Sequence, residues 1–346
     1  MDRAGAEALL GRVNVVHLAA TTADGEPVLR TLHAVVVRGG LCFHGAPAGE
    51  KTEAIGRPAV VGAEEVVAAI PSYFLDPERA CPATTLYRSA QVHGVIERVE
   101  AADYKAEVLQ ALMEKHQAEG GHVPIRREEP RYDELYRKAV NGIMVLRVSL
   151  ERLDGKAKLA QNRTPAEQAR LLEKLWERGL SSDPAAIEAV RGANPGLPLP
   201  AFLRGPGEIT LAVAPGEDDA KVAAGMLEGA YWNVGIAGDV IGSAHLGSSA
   251  WVGARDGSGR LVGTARAVSD GAKRAWIFDV MVAPEHRAKG VGEAVLRLLL
   301  DHPAVRRTRE VLLRTRDAEG FYRRFGFALR GEARAVAPSI EMVRFT

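Results

Sequence analysis

Short apolar runs separated by turn residues dominate the first part of the chain. Residues 13–20, 28–37 and 41–44 are apolar and strand-like, and Asp24-Gly25 and Gly39-Gly40 punctuate them. Such pairs supply the positive backbone angles of tight hairpins, so the spacing predicts antiparallel strands. Further strands are expected over 59–63, 89–98 and 142–150. One helix is expected over 103–116, where Val108 and Leu112 share a face with Leu109 and Met113 beside them, and Gly120-Gly121 ends it. Another opens at Thr164 as N-cap, with Pro165 at the first helical position and Glu167 completing a capping box; Gly179 is its stop. Together these elements read as an antiparallel split β-barrel with added helices.

Residues 192–207 are rich in proline and glycine and carry no helical or strand periodicity, which places a domain boundary there. The expected domains are 1–200 and 205–346. Beyond the boundary the pattern changes to a strand over 208–213, helices over 218–228 and near 240–246, and strands over 250–255, 261–269 and 274–282. A helix, a strand over 311–315, a short helix and a last strand follow. This order predicts an α+β layer on a mixed, largely antiparallel sheet.

Composition narrows the partners. The 346 residues carry 45 Lys and Arg against 44 Asp and Glu, so there is no basic surplus for nucleic acid or an anionic membrane. A small molecule is the expected ligand. The longest apolar runs, such as 34–37 and 296–300, fall far short of the roughly 20 residues a transmembrane helix needs, and the N-terminus lacks a secretory pattern, so a cytoplasmic location is expected. Cys42 and Cys81 have no partners at metal-ligand spacing, nor do His17, His33, His93, His116 and His122, so no metal is expected. The chain has no internal repeat and no dinucleotide fingerprint.

The richest stretch is 276–303. An apolar strand passes through Ala283-Pro284-Glu285-His286 into Arg287-Ala288-Lys289-Gly290-Val291-Gly292, and then into a helix whose Val291, Ala294, Val295, Leu298 and Leu299 form one face. Glycines at a helix start leave unpaired backbone N–H groups at the positive end of the helix dipole, which suits a pyrophosphate; Arg287 and Lys289 add charge. The same glycines could simply permit a tight turn. A second element, the strand at 311–315 followed by Asp317-Ala318-Glu319-Gly320-Phe321-Tyr322-Arg323-Arg324-Phe325-Gly326-Phe327, favours the ligand.

At these residues the chain resembles the GNAT superfamily of acyl-CoA N-acyltransferases, whose loop pattern Arg287, Gly290 and Gly292 match. The resemblance covers about 205–346 and extends to Tyr231-Trp232, Leu261-Val262-Gly263 and Asp279-Val280-Met281-Val282. It implies that Met281 and Val282 pair with the pantetheine arm of acetyl-CoA. Backbone N–H groups of Ala288, Lys289, Gly290, Val291 and Gly292 would hold the pyrophosphate. Tyr322 would be the general acid that protonates the departing thiolate, or else an aromatic packed on Phe325. Asp279 is the first candidate for a base or an amine-holding group, ahead of Asp270 and His286; water could also take the proton.

In the first domain, Arg30-Thr31-Leu32-His33, the loop from Phe43 to Lys51, and Tyr87-Arg88-Ser89 through Glu97 resemble FMN-binding split barrels of the pyridoxamine-phosphate-oxidase-like family, in particular nitroimidazole-resistance reductases. The run Lys156-Ala157-Lys158-Leu159-Ala160-Gln161-Asn162-Arg163 resembles flavin-binding negative regulators of protease synthesis. The resemblance implies that Arg30 and Lys51 hold the FMN phosphate, with His44, Arg88 and Ser89 near the phosphate or ring. Gln161 and Arg163 would reach the flavin of a partner subunit in a homodimer.

The leading expectation is therefore an acetyl-CoA-dependent N-acetyltransferase fused to an FMN-binding reductase or oxidase domain. Its substrates would be a small amine and a nitro or imine compound, the first domain producing an amine that the second acetylates. The competing expectation is a flavin-binding sensor attached to the transferase without redox turnover.

Overall fold

The computed structural model describes residues 1–332. The chain divides into two compact units, Met1–Pro200 and Ala201–Thr346. In the first, helix α1 (Arg3–Arg12) precedes strands β1 (Val16–Thr21), β2 (Pro27–Leu32), β3 (Val35–Val37) and β4 (Gly40–Gly45). A helical turn α2 (Glu50–Glu53) leads to β5 (Pro58–Ile70), β6 (Thr84–Val95) and β7 (Glu97–Val99). Next come α3 (Ala102–His116), the short helices α4 (Tyr132–Leu135) and α5 (Arg137–Gly142), strands β8 (Met144–Ser149) and β9 (Arg152–Lys158), and helices α6 (Pro165–Arg178) and α7 (Asp183–Ala193).

These strands form two antiparallel sheets, ordered β2-β1-β5-β6-β9 and β3-β4-β8-β7. Both contribute to one core: Leu18, Val61 and Val92 from the first sheet meet Leu41, Phe43, Leu146 and Val148 from the second. This is the split-barrel arrangement. Helix α1, which no sequence pattern announces, plugs the core with Ala6, Leu9 and Leu10, each fully buried. The expected single strand over 28–37 is two, because β2 pairs with β1 while β3 pairs with β4 in the other sheet. Strand β5 runs well beyond residue 63. Glu64 and Glu65 break its apolar pattern, yet they sit in register opposite Ser89 and Arg88. Helix α3 lays Val108 and Leu112 over Val35, Val37 and Val145.

Helix α6 begins where its cap chemistry places it. The Thr164 hydroxyl accepts from the Glu167 amide at 3.3 Å, the Glu167 carboxylate accepts from the Thr164 amide at 2.8 Å, and Gly179 ends the helix with φ of 65°. Helix α7 follows unannounced by sequence, and the buried Asp183 ties the corner by accepting from Arg178 and from the Leu180 amide.

The second unit contains β10 (Thr210–Ala212), α8 (Glu217–Leu227), α9 (Gly238–Leu246), β11 (Ala250–Arg255), β12 (Leu261–Ser269), β13 (Arg274–Val282), α10 (Val291–Asp301), β14 (Glu310–Leu312) and α11 (Glu319–Arg323). Its sheet, ordered β10-β11-β12-β13-β14, is antiparallel except for the parallel pair β13 and β14. Helices α8 and α10 pack against β12 and β13. Hairpin β12–β13 turns on Asp270, whose Oδ1 accepts from the amides of Ala272, Lys273 and Arg274. The last strand expected after α11 lies outside the described residues. Among the described residues no helix is long and apolar enough to cross a membrane.

Candidate functional site

Two features of β13 create the site. Its pairing with β14 stops at Trp276 opposite Leu312, and beyond that point the two chains part. Strand β13 is also bulged against β12, since Thr264 faces Met281 while Arg266 faces Phe278. Asp279 sits in this bulge with a left-handed φ of 51°.

The parting strands open a cavity of about 670 Å³ between Ile277–Val280 on one side and Leu313–Asp317 on the other. Tyr231, Trp232, Trp276, Phe278 and Tyr322 give it aromatic walls. A second cleft of about 400 Å³ runs from Val280, Met281 and Val282 over Arg287, Ala288, Gly290 and Gly292 to Phe321 and Arg324. Tyr322 borders both spaces. Burial pushes its phenol up to about 12, with the Tyr231 phenol adding to the effect, so it holds its proton at neutral pH. Tyr322 also meets Phe321 and Phe327 edge-on, at 5.2 and 5.9 Å between ring centres.

The glycine-bearing loop has the geometry of an anion nest. Gly290 caps α10 with φ of 80°, a conformation that a β-carbon disfavours, and Ala288 is also left-handed at 57°. The Ala294 amide donates to the Gly290 carbonyl, so the N–H groups before it precede the helical ladder. At Gly292 a β-carbon would stand in the cleft, in contact with Val282 at 3.5 Å and Phe321 at 3.8 Å. Ala288, Lys289 and Gly290 are exposed, and Val291, the first residue of α10, is buried.

Arg287 is occupied differently from a free phosphate ligand. Its Nε donates to the Val282 carbonyl at 2.9 Å, bracing the end of β13. Arg324, which its sequence neighbours do not mark as a site residue, lines the cleft with its guanidinium 5.3 Å from the Phe321 ring centre and 3.8 Å from Glu293. Its position follows from α11, which no local pattern ties to the cleft.

Asp279 is engaged on both oxygens. Trp232 Nε1 donates to Oδ1 at 2.9 Å and Arg266 Nε to Oδ2 at 2.6 Å, in a pair whose side chains are 5% and 14% exposed. Protonating Asp279 would strip the counter-charge from a largely buried guanidinium. The other base candidates lie elsewhere: Asp270 is spent on its turn, and its backbone donors hold its carboxyl below the usual range. His286 lies in the turn before the loop. An imidazole that no sequence pattern marks is His245 on α9, which is 1% exposed; its Nδ1 lies 2.8 Å from the Ile241 carbonyl and its Nε2 has no partner among the described residues. Desolvation holds it below the ordinary histidine range.

In the first unit, the flavin candidates fall into separate groups. His44 is the penultimate residue of β4, and Lys51 on α2 folds back over Gly45, where a β-carbon would stand 2.7 Å from Lys51 Cε; Lys51 Nζ donates to the Ala48 carbonyl. Burial, and His33 nearby, keep His44 below its usual range, so it is neutral near pH 7. His44, Gly45, Ala46 and Pro47 line an open groove with Lys138 and Ile143. Arg30 is exposed on β2 and donates to its neighbouring Leu29 carbonyl. Arg88 and Ser89 stand on β6, where Arg88 donates to Glu65 at 2.8 Å and Arg12 of α1 approaches the same carboxylate at 2.9 Å. Gln161 closes its own loop through the Leu159 amide and the Ala157 carbonyl, while Arg163 lies 3.7 Å from Glu167. Arg163 shares a 220 Å³ pocket with Lys158, Thr84 and Cys81. Among the described residues there is no metal-binding cluster of histidine, cysteine and carboxylate side chains.

Comparison with known proteins assigns both units. The family model for pyridoxamine 5'-phosphate oxidase matches residues 2–157, and that for the acetyltransferase (GNAT) family matches residues 227–327. An uncharacterized N-acetyltransferase, ycf52 of Porphyra purpurea, is 36% identical over 78 residues, which is 21% of this chain. The chain spans 42% of the length of that relative. Among solved structures, the FAD and heme binding protein of Mycobacterium smegmatis is 23% identical over 45% of this chain and 71% of its own, with a TM-score of 0.35. A GNAT family acetyltransferase of Streptococcus pneumoniae is 25% identical over 39% of this chain and 98% of its own, with a TM-score of 0.31. The chain thus joins a pyridoxamine 5'-phosphate oxidase-like domain to an acetyltransferase domain of the GNAT family.

Proposed function

We propose that the second domain transfers an acetyl group from acetyl-CoA to a small-molecule amine, with Tyr322 as general acid. The observation that carries the reading is the position of Tyr322 at the border of two clefts, one beside a helix N-terminus and one lined by aromatic rings. The pyrophosphate would lie on the amides of Ala288 to Gly292, and the pantetheine arm would run beside Met281 and Val282. The amine attacks the thioester carbonyl from the aromatic cavity, the C–S bond breaks, and the phenol gives its proton to the thiolate. Asp279 acts in this scheme as a positioning residue, holding Trp232 and Arg266 around the acceptor. Calorimetric titration with acetyl-CoA tests the reading, because absence of binding heat, or binding unaffected by a bulky residue at Gly292, would refute it.

The first domain is proposed to bind a flavin, with FMN as the expected form and two copies of the chain enclosing it. Lys51 and His44, brought together at Gly45, and Arg30 would hold its phosphate; a bound flavin supplies two-electron exchange. Arg88 shares the Glu65 carboxylate with Arg12 and, with Ser89, would stand near the phosphate or ring. A yellow protein whose absorbance bleaches with NAD(P)H supports a reductase that can deliver amines to the transferase. A flavin that is bound but never reduced supports the sensor.

A further inference from the structure

We propose that Arg324 is the side chain that meets the cofactor's pyrophosphate, exchanging a loose pair with Glu293 for the phosphates; the inference rests on the acetyltransferase reading. Three cationic side chains belong to the loop at the start of α10 or to the cleft beside it, and they are held differently. Arg287 gives its Nε to the Val282 carbonyl at 2.9 Å. Lys289 is exposed and does not line the cleft. Arg324 lines it without such a tie.

Two contacts fix where the Arg324 guanidinium stands. It lies 5.3 Å from the centre of the Phe321 ring, and that ring lies 3.8 Å from the place a β-carbon would take at Gly292. It also lies 3.8 Å from the carboxylate of Glu293, the next residue along. The guanidinium is thus beside the first turn of α10, and an anion seated on the amides there comes within its reach. Helix α11 and its cap sort their side chains accordingly. Tyr322 borders both clefts and Arg324 only the one on the cofactor side, while Arg323 is spent on Glu319 at 2.7 Å and Glu332 at 3.0 Å.

The pair with Glu293 is one that a phosphate can displace. At 3.8 Å it is beyond hydrogen-bond distance, and with side chains 60% and 36% exposed it contributes little. Glu293 does not depend on it, because Arg297, one turn further along α10, holds the other carboxylate oxygen at 2.6 Å. A phosphate offers arginine two parallel charge-assisted hydrogen bonds, each about twice as strong as a neutral one. Glu293 meanwhile places a negative charge beside the seat of the pyrophosphate, which opposes binding. Arg324 therefore supplies the counter-charge of the cofactor, and Glu293 holds its affinity down.

Calorimetric titration of the full chain with acetyl-CoA and with 3'-dephospho-acetyl-CoA, which keeps the pyrophosphate, tests this. Arg324→Met keeps the stem and an apolar contact with Phe321 but loses the charge. It should raise the dissociation constant of both ligands by about tenfold or more. Arg324→Lys should recover part of that loss, and Glu293→Gln should tighten both ligands several-fold. Wild-type affinity in Arg324→Met would mean that the guanidinium only covers the Phe321 ring, and the proposal fails. It fails equally if the loss appears with acetyl-CoA and not with the dephospho form, which would place Arg324 on the 3'-phosphate, or if Glu293→Gln weakens binding. No binding heat from the unaltered chain removes the transferase reading and this inference together.

Discussion

Replacing Asp279 by asparagine separates the two roles open to this residue. Asparagine tolerates the left-handed φ of 51° at the bulge and can still accept from Trp232, so the change removes little but charge. Breaking a buried pair by removing one partner costs about 3–5 kcal/mol, and the Asp279–Arg266 side chains at 5% and 14% exposure qualify as buried. A neutral hydrogen bond from Arg266 to the new amide returns about 1 kcal/mol. The expected net loss is about 2–4 kcal/mol. For a unit of this size that lowers the melting transition of the acetyltransferase domain by very roughly 4–16 °C, at about 2–4 °C per kcal/mol. Scanning calorimetry of the full chain reads this shift. Arg266→Gln should cost a similar amount, and the double substitution Asp279→Asn with Arg266→Gln should cost much less than the sum, because the two neutral amides can bond to each other. If the singles add, or if Asp279→Asn leaves the melting unchanged while abolishing transfer, the pair is not structural and Asp279 is the base after all.

Three further outcomes follow from the same geometry. Tyr322→Phe should lower kcat by about 10²-fold or more with the acetyl-CoA dissociation constant nearly unchanged; because the phenol is raised to about 12, the wild-type rate should show no alkaline decline from this group below pH ~10, and a decline near pH 8 would contradict the assignment. Gly290→Val forces a β-branched residue into φ of 80°, at a cost of about 1–2 kcal/mol, and should weaken acetyl-CoA binding in calorimetry. His302, 5% exposed at the end of α10, is held down to about 4 by burial, so below pH ~6.5 the unfolded chain takes up a proton that the folded one refuses. Stability should therefore fall as pH drops from about 6.5 to about 4, by on the order of 3 kcal/mol, and His302→Asn should flatten that slope in urea titrations.

What could be read from sequence was local. Strands β11, β12 and β13 begin and end where their apolar runs do, and α6 starts at Thr164 because its cap, its proline and its Glu167 lie within four residues of one another. The hidden features are those set by distant partners. Helix α1 has three buried residues but also Gly5 and Gly11, and only the barrel interior makes it worth forming. The full length of β5 depends on Arg12 and Arg88 reaching Glu65 from other elements.

The site divides along the same line. The loop from Arg287 to Gly292 is legible because a glycine that must adopt a left-handed φ at a helix start leaves its mark in a few consecutive residues. Asp279 is legible as an acid in a strand, but its chemistry is not. Its two partners lie 13 and 47 positions away, and the bulge that turns it toward them interrupts an apolar run that reads as continuous from Trp276 to Val282. An acid at the end of a strand reads as a base when its neighbours are unknown. A guanidinium and an indole hold both its oxygens, and no local pattern in the sequence ties Arg266 or Trp232 to it.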